Sequence, residues 1–228
     1  FFIPLIMYTL YKYIDGFYTD KGGDKHKPIY LYLFLLLVAS QYLLHIQGSV
    51  VTFFSSLAFT VIMVIKYRKL PVSKKNLRHL IISGIVFLII ILPFAPIYYG
   101  LGSEEANKTG FSRLFSWAPL DGTYTGSYPP SYVGLDNHYD FWLLALVVIG
   151  IILLIYRREN RDLLLLGWLV GIYITFHMDV FLGTSAPRII RMMVAEPPVF
   201  FSIIGVGAVS LVNFLPLKKQ MKTIAKVV

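Results

Sequence analysis

Two arginines three residues apart, Arg188 and Arg191, follow Thr184-Ser185-Ala186-Pro187 in this 228-residue chain, and that spacing gives them a common chemistry. On a helix, residues at i and i+3 share a face. Thr184 and Ser185 are suited to N-cap a helix and Pro187 to open its first turn, so free N–H groups and a positive dipole end would lie beside both guanidiniums. Planar paired donors at a helix N-terminus suit phosphate. The structural alternative is that both arginines snorkel to lipid headgroups or pair with Asp179 and Glu196. His177 lies in the same stretch, so five ionisable residues gather at the boundary of an apolar hairpin.

A second polar cluster, Asp136-Asn137-His138-Tyr139-Asp140, combines two carboxylates with an imidazole that could bind a metal or move a proton. The plainer reading is that Asn137 or Asp140 caps the helix that follows. Asn107-Lys108-Thr109 fits the acceptor pattern for N-glycosylation. The absence of cysteine excludes a disulfide framework, a thiolate metal site and a Cys nucleophile. The sequence implies no cofactor and leaves a divalent cation open.

These clusters punctuate a chain that is 57% apolar and 14% charged, with a mean hydropathy of +0.68. A soluble domain carries about 25% charged residues. Apolar windows bounded by Pro, Gly and charge read as about seven spans of an all-α, polytopic transmembrane helix bundle. They run over Phe1–Ile14, Pro28–Gln47, Ser49–Tyr67, Leu77–Tyr99, Phe141–Tyr156, Leu163–Leu182 and Pro198–Pro216. Residues 1–99 hold four spans, 100–140 form one long outer loop, 141–216 hold three spans, and 217–228 form a basic tail. The first residue is Phe and lies inside an apolar stretch, so the first span reads as truncated and the chain as a fragment.

The basic residues set the orientation. Seventeen of the twenty-one fall in alternate loops: Lys12 through Lys27, Lys66 through Arg78, Arg157 through Arg161, and the tail from Lys218. The other four, Lys108, Arg113, Arg188 and Arg191, fall on the opposite face. This places the C-terminus in the cytoplasm and residues 100–140 outside. The net charge of +9 therefore needs no nucleic-acid partner; membrane lipid is the expected one. Pro197-Pro198 disfavours helix at Glu196, so Pro187–Glu196 is expected as a short interfacial helix ahead of the last span.

The order of features from Leu77 to Pro216 resembles the C-terminal part of the GT-C class of membrane glycosyltransferases. The residues that carry the resemblance are the polar outer loop, the span closing on Arg157-Arg158-Glu159-Asn160-Arg161, Leu163-Leu164-Leu165-Leu166-Gly167-Trp168-Leu169, and outer Pro187-Arg188 with Arg191. Pro197-Pro198 and Gly205-Val206-Gly207 follow. The resemblance implies a membrane enzyme that transfers a sugar from a polyprenyl-phosphate-linked donor on the outer face, with Arg188 and Arg191 holding the donor phosphate. That class places its catalytic carboxylate in the first outer loop. Here Asp15, Asp20 and Asp24 fall on the inner face, so the carboxylate is expected upstream in a missing N-terminal half or on another membrane subunit. The alternative function is a non-catalytic membrane subunit or scaffold of a larger membrane complex. A channel ranks last, because the spans offer only His45, Gln41, Gln47 and a few hydroxyls.

Overall fold

The computed structural model describes residues 2–19, 28–44, 46–92, 141–177 and 197–214, and all regular structure among them is helical. Seven helices are described: α1 (Ile3–Thr19), α2 (Ile29–Leu44), α3 (Ile46–Tyr67), α4 (Lys74–Ile91), α5 (Phe141–Arg157), α6 (Asn160–Phe176) and α7 (Pro197–Phe214). Within α3, Gly48–Tyr67 is long and apolar enough to cross a membrane. Apolar helical stretches in α2, α4, α5 and α7 are shorter. The long outer loop and the basic tail lie outside the described residues.

Local chemistry sets several helix ends. Ser73 caps α4 by accepting the Asn76 N–H at 3.2 Å, so the helix takes in Lys74 and Lys75, three residues ahead of the apolar window at Leu77. Asp162 reaches back to the Glu159 N–H at 3.3 Å, which starts α6 at Asn160, before the apolar run that begins at Leu163. Arg68 and Arg158 adopt φ of 50° and 54°, left-handed conformations that terminate α3 and α5 without glycine. Helix α1 continues past Ile14 to Thr19 and carries Asp15 on its last turns.

Three sets of contacts fix how the helices run. Ser56 donates to Met7 Sδ, the Tyr11 ring lies against Phe59, and Tyr18 stacks on Tyr67 at 4.2 Å, so α1 and α3 are parallel. Ser55 meets Gly171, Phe59 meets Gly167, and Lys66 bonds Asn160, so α3 and α6 are antiparallel. The Phe2 N–H donates to Gln41 Oε1 at 3.0 Å, which places the start of α1 beside the end of α2. The C-terminal ends of α1 and α3 and the α5–α6 corner therefore meet at one end of the bundle.

A buried cluster that includes Met7, Phe59, Met63, Trp168, Ile172 and Phe200 packs the helices together, and small residues set their closest approaches. A Cβ on Gly167 would stand 2.6 Å from Phe59 Cα, and one on Gly171 would fall on the Ser55 backbone. Gly150 and Gly207 do the same between α5 and α7, against Ile203 and Leu146 carbonyls. Ser55 Oγ crosses to the Trp168 carbonyl at 3.3 Å, while buried Thr52 and Thr175 return their hydroxyls to Gly48 and Gly171 carbonyls of their own helices. Meanwhile Phe53, Leu57, Val61, Ile65, Ile81, Ile85, Ile89 and Ile152 are exposed. Close glycine contacts bring helix backbones together and so add dispersion contacts between them.

Candidate functional site

Of the residues singled out from sequence, Arg188, Arg191, Asp136, His138, Asp140, Asp179 and Glu196 lie outside the described residues. His177 is described. It closes α6, has no exposed surface, and its Nδ1 lies 2.8 Å from the Tyr173 carbonyl, with its ring 4.3 Å from that of Tyr173. A carbonyl only accepts, so Nδ1 carries the proton in this contact. The chain between α6 and α7 thus joins a buried histidine to a helix that begins at Pro197-Pro198.

The polar site that is visible lies at the other end of α6, where the sequence offered a topology signal and part of the resemblance to the GT-C class but no candidate site. Asn160 is its hub: its amide donates to Asp15 Oδ1 at 2.6 Å, while its carbonyl oxygen accepts from Lys66 Nζ at 2.6 Å and Tyr67 OH at 3.0 Å. Lys66 also donates to the Arg158 carbonyl at 2.7 Å, and its ammonium lies 5.2 Å from the centre of the Tyr67 ring. One asparagine thereby ties α1, α3 and α6. Beside it Arg157 grips Asp162 through two bonds, 2.6 and 3.1 Å long. Asp162 is 2% exposed, and its oxygens are met by the planar Arg157 fork and by the Glu159 N–H. The bond to Asp162 also pushes the Arg157 guanidinium above its ordinary pKa range, against the opposing effect of burial.

An open depression of about 550 Å³ lies over this hub, lined by Tyr11, Asp15, Lys66, Tyr67, Glu159, Asn160 and Arg161. Its lining holds two carboxylates, two cations and two phenols. Arg161 and Glu159 pair at 2.7 Å across its exposed rim. Two signals in the sequence could have located the hub: Glu159 and Asp162 stand at capping-box spacing, and Asn160 interrupts a charged run with a side chain able to donate and accept at once. The pairing with Asp15, 145 residues away, has no sequence signal. Among the described residues, no three His, Asp or Glu side chains are grouped to hold a metal ion.

No protein-family model, curated protein or solved structure matches the chain.

Proposed function

We propose that this chain is a polytopic helix bundle of a membrane and forms part of a glycosyltransferase that uses a polyprenyl-phosphate-linked sugar on the outer face. The observation that carries the membrane half is the extent of exposed apolar surface on helices that pack closely. Glycines let helix backbones approach, and around the buried apolar core many further Leu, Ile, Val and Phe stand exposed. In water this would leave a large apolar surface uncovered. In a bilayer it is the expected arrangement, since lipid solvates the large side chains and small ones permit close approach.

The transferase half rests on Arg188 and Arg191 in the connection between α6 and α7. Their role is electrostatic: guanidiniums offset charge that develops on the departing lipid phosphate as the sugar's anomeric carbon is attacked by the acceptor. No protein nucleophile is required, and the carboxylate that would take the acceptor's proton lies outside this chain in that reading. A second reading, a non-catalytic membrane subunit, is favoured by the interlocked α3–α6 and α5–α7 pairs, whose backbone contacts suit a rigid scaffold.

Because the chain has no cysteine, single-cysteine variants report topology cleanly. Impermeant thiol reagent on intact cells is expected to label a cysteine at Gly122 and to spare one at Lys74 until the membrane is opened. The reverse pattern would put Arg188 and Arg191 on the inner face and remove the basis for a donor site outside.

A further inference from the structure

Four side chains from three helices meet at the hub in the arrangement that amide exchange requires: an amine, a carboxamide, a hydroxyl and a carboxyl group. Lys66 Nζ lies 2.6 Å from Asn160 Oδ1. With a carbonyl bond of about 1.23 Å, that nitrogen stands no more than about 3.8 Å from the carboxamide carbon, Cγ, close to the ~3–3.5 Å separation of reacting atoms in a near-attack arrangement. A second bond, to the Arg158 carbonyl at 2.7 Å, holds the nitrogen in place. The Tyr67 hydroxyl donates to the same Asn160 Oδ1 at 3.0 Å, where negative charge develops when Cγ is attacked. Asp15 Oδ1 lies 2.6 Å from Asn160 Nδ2, the atom that leaves. Nucleophile, electrophile, oxyanion donor and proton carrier are thus in place around one carbon.

We propose that Lys66 and Asn160 join through an isopeptide bond with release of ammonia, a covalent staple between α3 and α6. The Lys66 side chain is exposed, so water takes the first proton from its ammonium. The free amine then adds through its lone pair to Cγ, and Tyr67 stabilises the oxyanion. Both nitrogens now sit on one carbon within reach of the two Asp15 oxygens, and Asp15 moves a proton from Nζ to Nδ2. The carbonyl re-forms, the Cγ–Nδ2 bond breaks, and ammonia leaves through the open depression. One C–N bond forms as another breaks, so no oxidant or co-reactant is consumed. Because the amine must first lose its proton, the reaction quickens as pH rises, and loss of ammonia to bulk water draws it forward. The bond joins positions 94 apart in the chain and so restricts the unfolded state as a disulfide would. The proposal rests on neither the membrane reading nor the glycosyltransferase reading.

Mass spectrometry tests it on the purified full chain, held in detergent at mildly alkaline pH. The wild-type chain should end lighter by one ammonia, and protease digestion should release one branched peptide that joins Lys66 to Asn160. Lys66→Arg keeps a charged donor without a transferable amine and should show neither. Asp15→Asn still accepts from Nδ2 but cannot carry a proton, so it should slow the loss about a hundredfold. Tyr67→Phe keeps the ring that stacks on Tyr18 and should slow it less. Elution profile confirms folding of each variant. Full mass in the wild-type chain, hydrolysis of Asn160 to aspartate, or ammonia loss without the branched peptide would overturn the bond. An unchanged rate in Asp15→Asn would overturn the proton transfer assigned to Asp15.

Discussion

Gly171→Leu is expected to separate α3 from α6 and to lower the midpoint of thermal unfolding by roughly 6–12 °C, whereas Gly84→Leu leaves it unchanged or raised. The two positions differ only in what a side chain would meet. A Cβ on Gly171 lands on Ser55 backbone, which has no rotamer to yield, and Phe59 backbone stands in the same relation to Gly167 one turn away. Nothing lies within 4 Å of a Cβ on Gly84. Overpacking a close contact costs about 1–3 kcal/mol when side chains can adjust and reaches the upper end or beyond when backbone must move. About 3 kcal/mol corresponds to that fall in a protein of this size. At Gly84, replacing glycine in a helix removes a penalty of about 0.5–1 kcal/mol. Differential scanning fluorimetry in one detergent compares the pair, and equal midpoints would mean that α3 and α6 are not in backbone contact.

Arg157→Met is expected to destabilise the chain by about 2–4 kcal/mol, and Arg157→Met/Asp162→Asn by less than the single change. Asp162 is almost fully buried and owes its compensation to two bonds from Arg157 and one from the Glu159 N–H. Removing the arginine strands a carboxylate, which costs more than the pair itself contributed. The expected loss is about 1 kcal/mol less than the ~3–5 kcal/mol typical of breaking a fully buried pair, because the Arg157 side chain is 37% exposed and water partly screens the site. Asparagine at position 162 removes the stranded charge yet can still accept from the Glu159 N–H, so the start of α6 survives. Denaturation of the single and double variants gives the comparison, and a double variant less stable than the single would contradict it.

Why the interior of this bundle escaped the sequence follows from the same chemistry. Apolar windows placed helices well, because a run of Leu, Ile and Val bounded by Pro and charge has few other uses: the window 141–156 became α5, and 198–216 became α7 from Pro197 to Phe214. Which faces meet was hidden. When large apolar residues cover nearly every side of a helix, periodicity no longer separates core from periphery, and the informative residues are the small ones. Gly167-x-x-x-Gly171 was in plain view as small-residue spacing, yet Leu163–Leu182 reads first as an undifferentiated span. Helix ends slipped for a different reason: Ser73, Glu159 and Asp162 extend α4 and α6 into charged loops by capping, which hydropathy does not register. The hub at Asn160 needed knowledge of three-dimensional pairing, since Asp15 reads from sequence only as a loop carboxylate on the inner face. The outer clusters that the sequence singled out, from Asp136 to Glu196, fall outside the described residues apart from His177.

The phosphate-gripping role of Arg188 is the point on which the glycosyltransferase proposal turns, and polyprenyl-phosphate affinity measures it. Lysine at that position keeps the charge but loses the planar fork, so Arg188→Lys should weaken binding about tenfold, and Arg188→Ala further, at unchanged elution profile. If Arg188→Ala remains folded and binds polyprenyl phosphate as the wild-type chain does, the donor site is not there and the transferase reading fails.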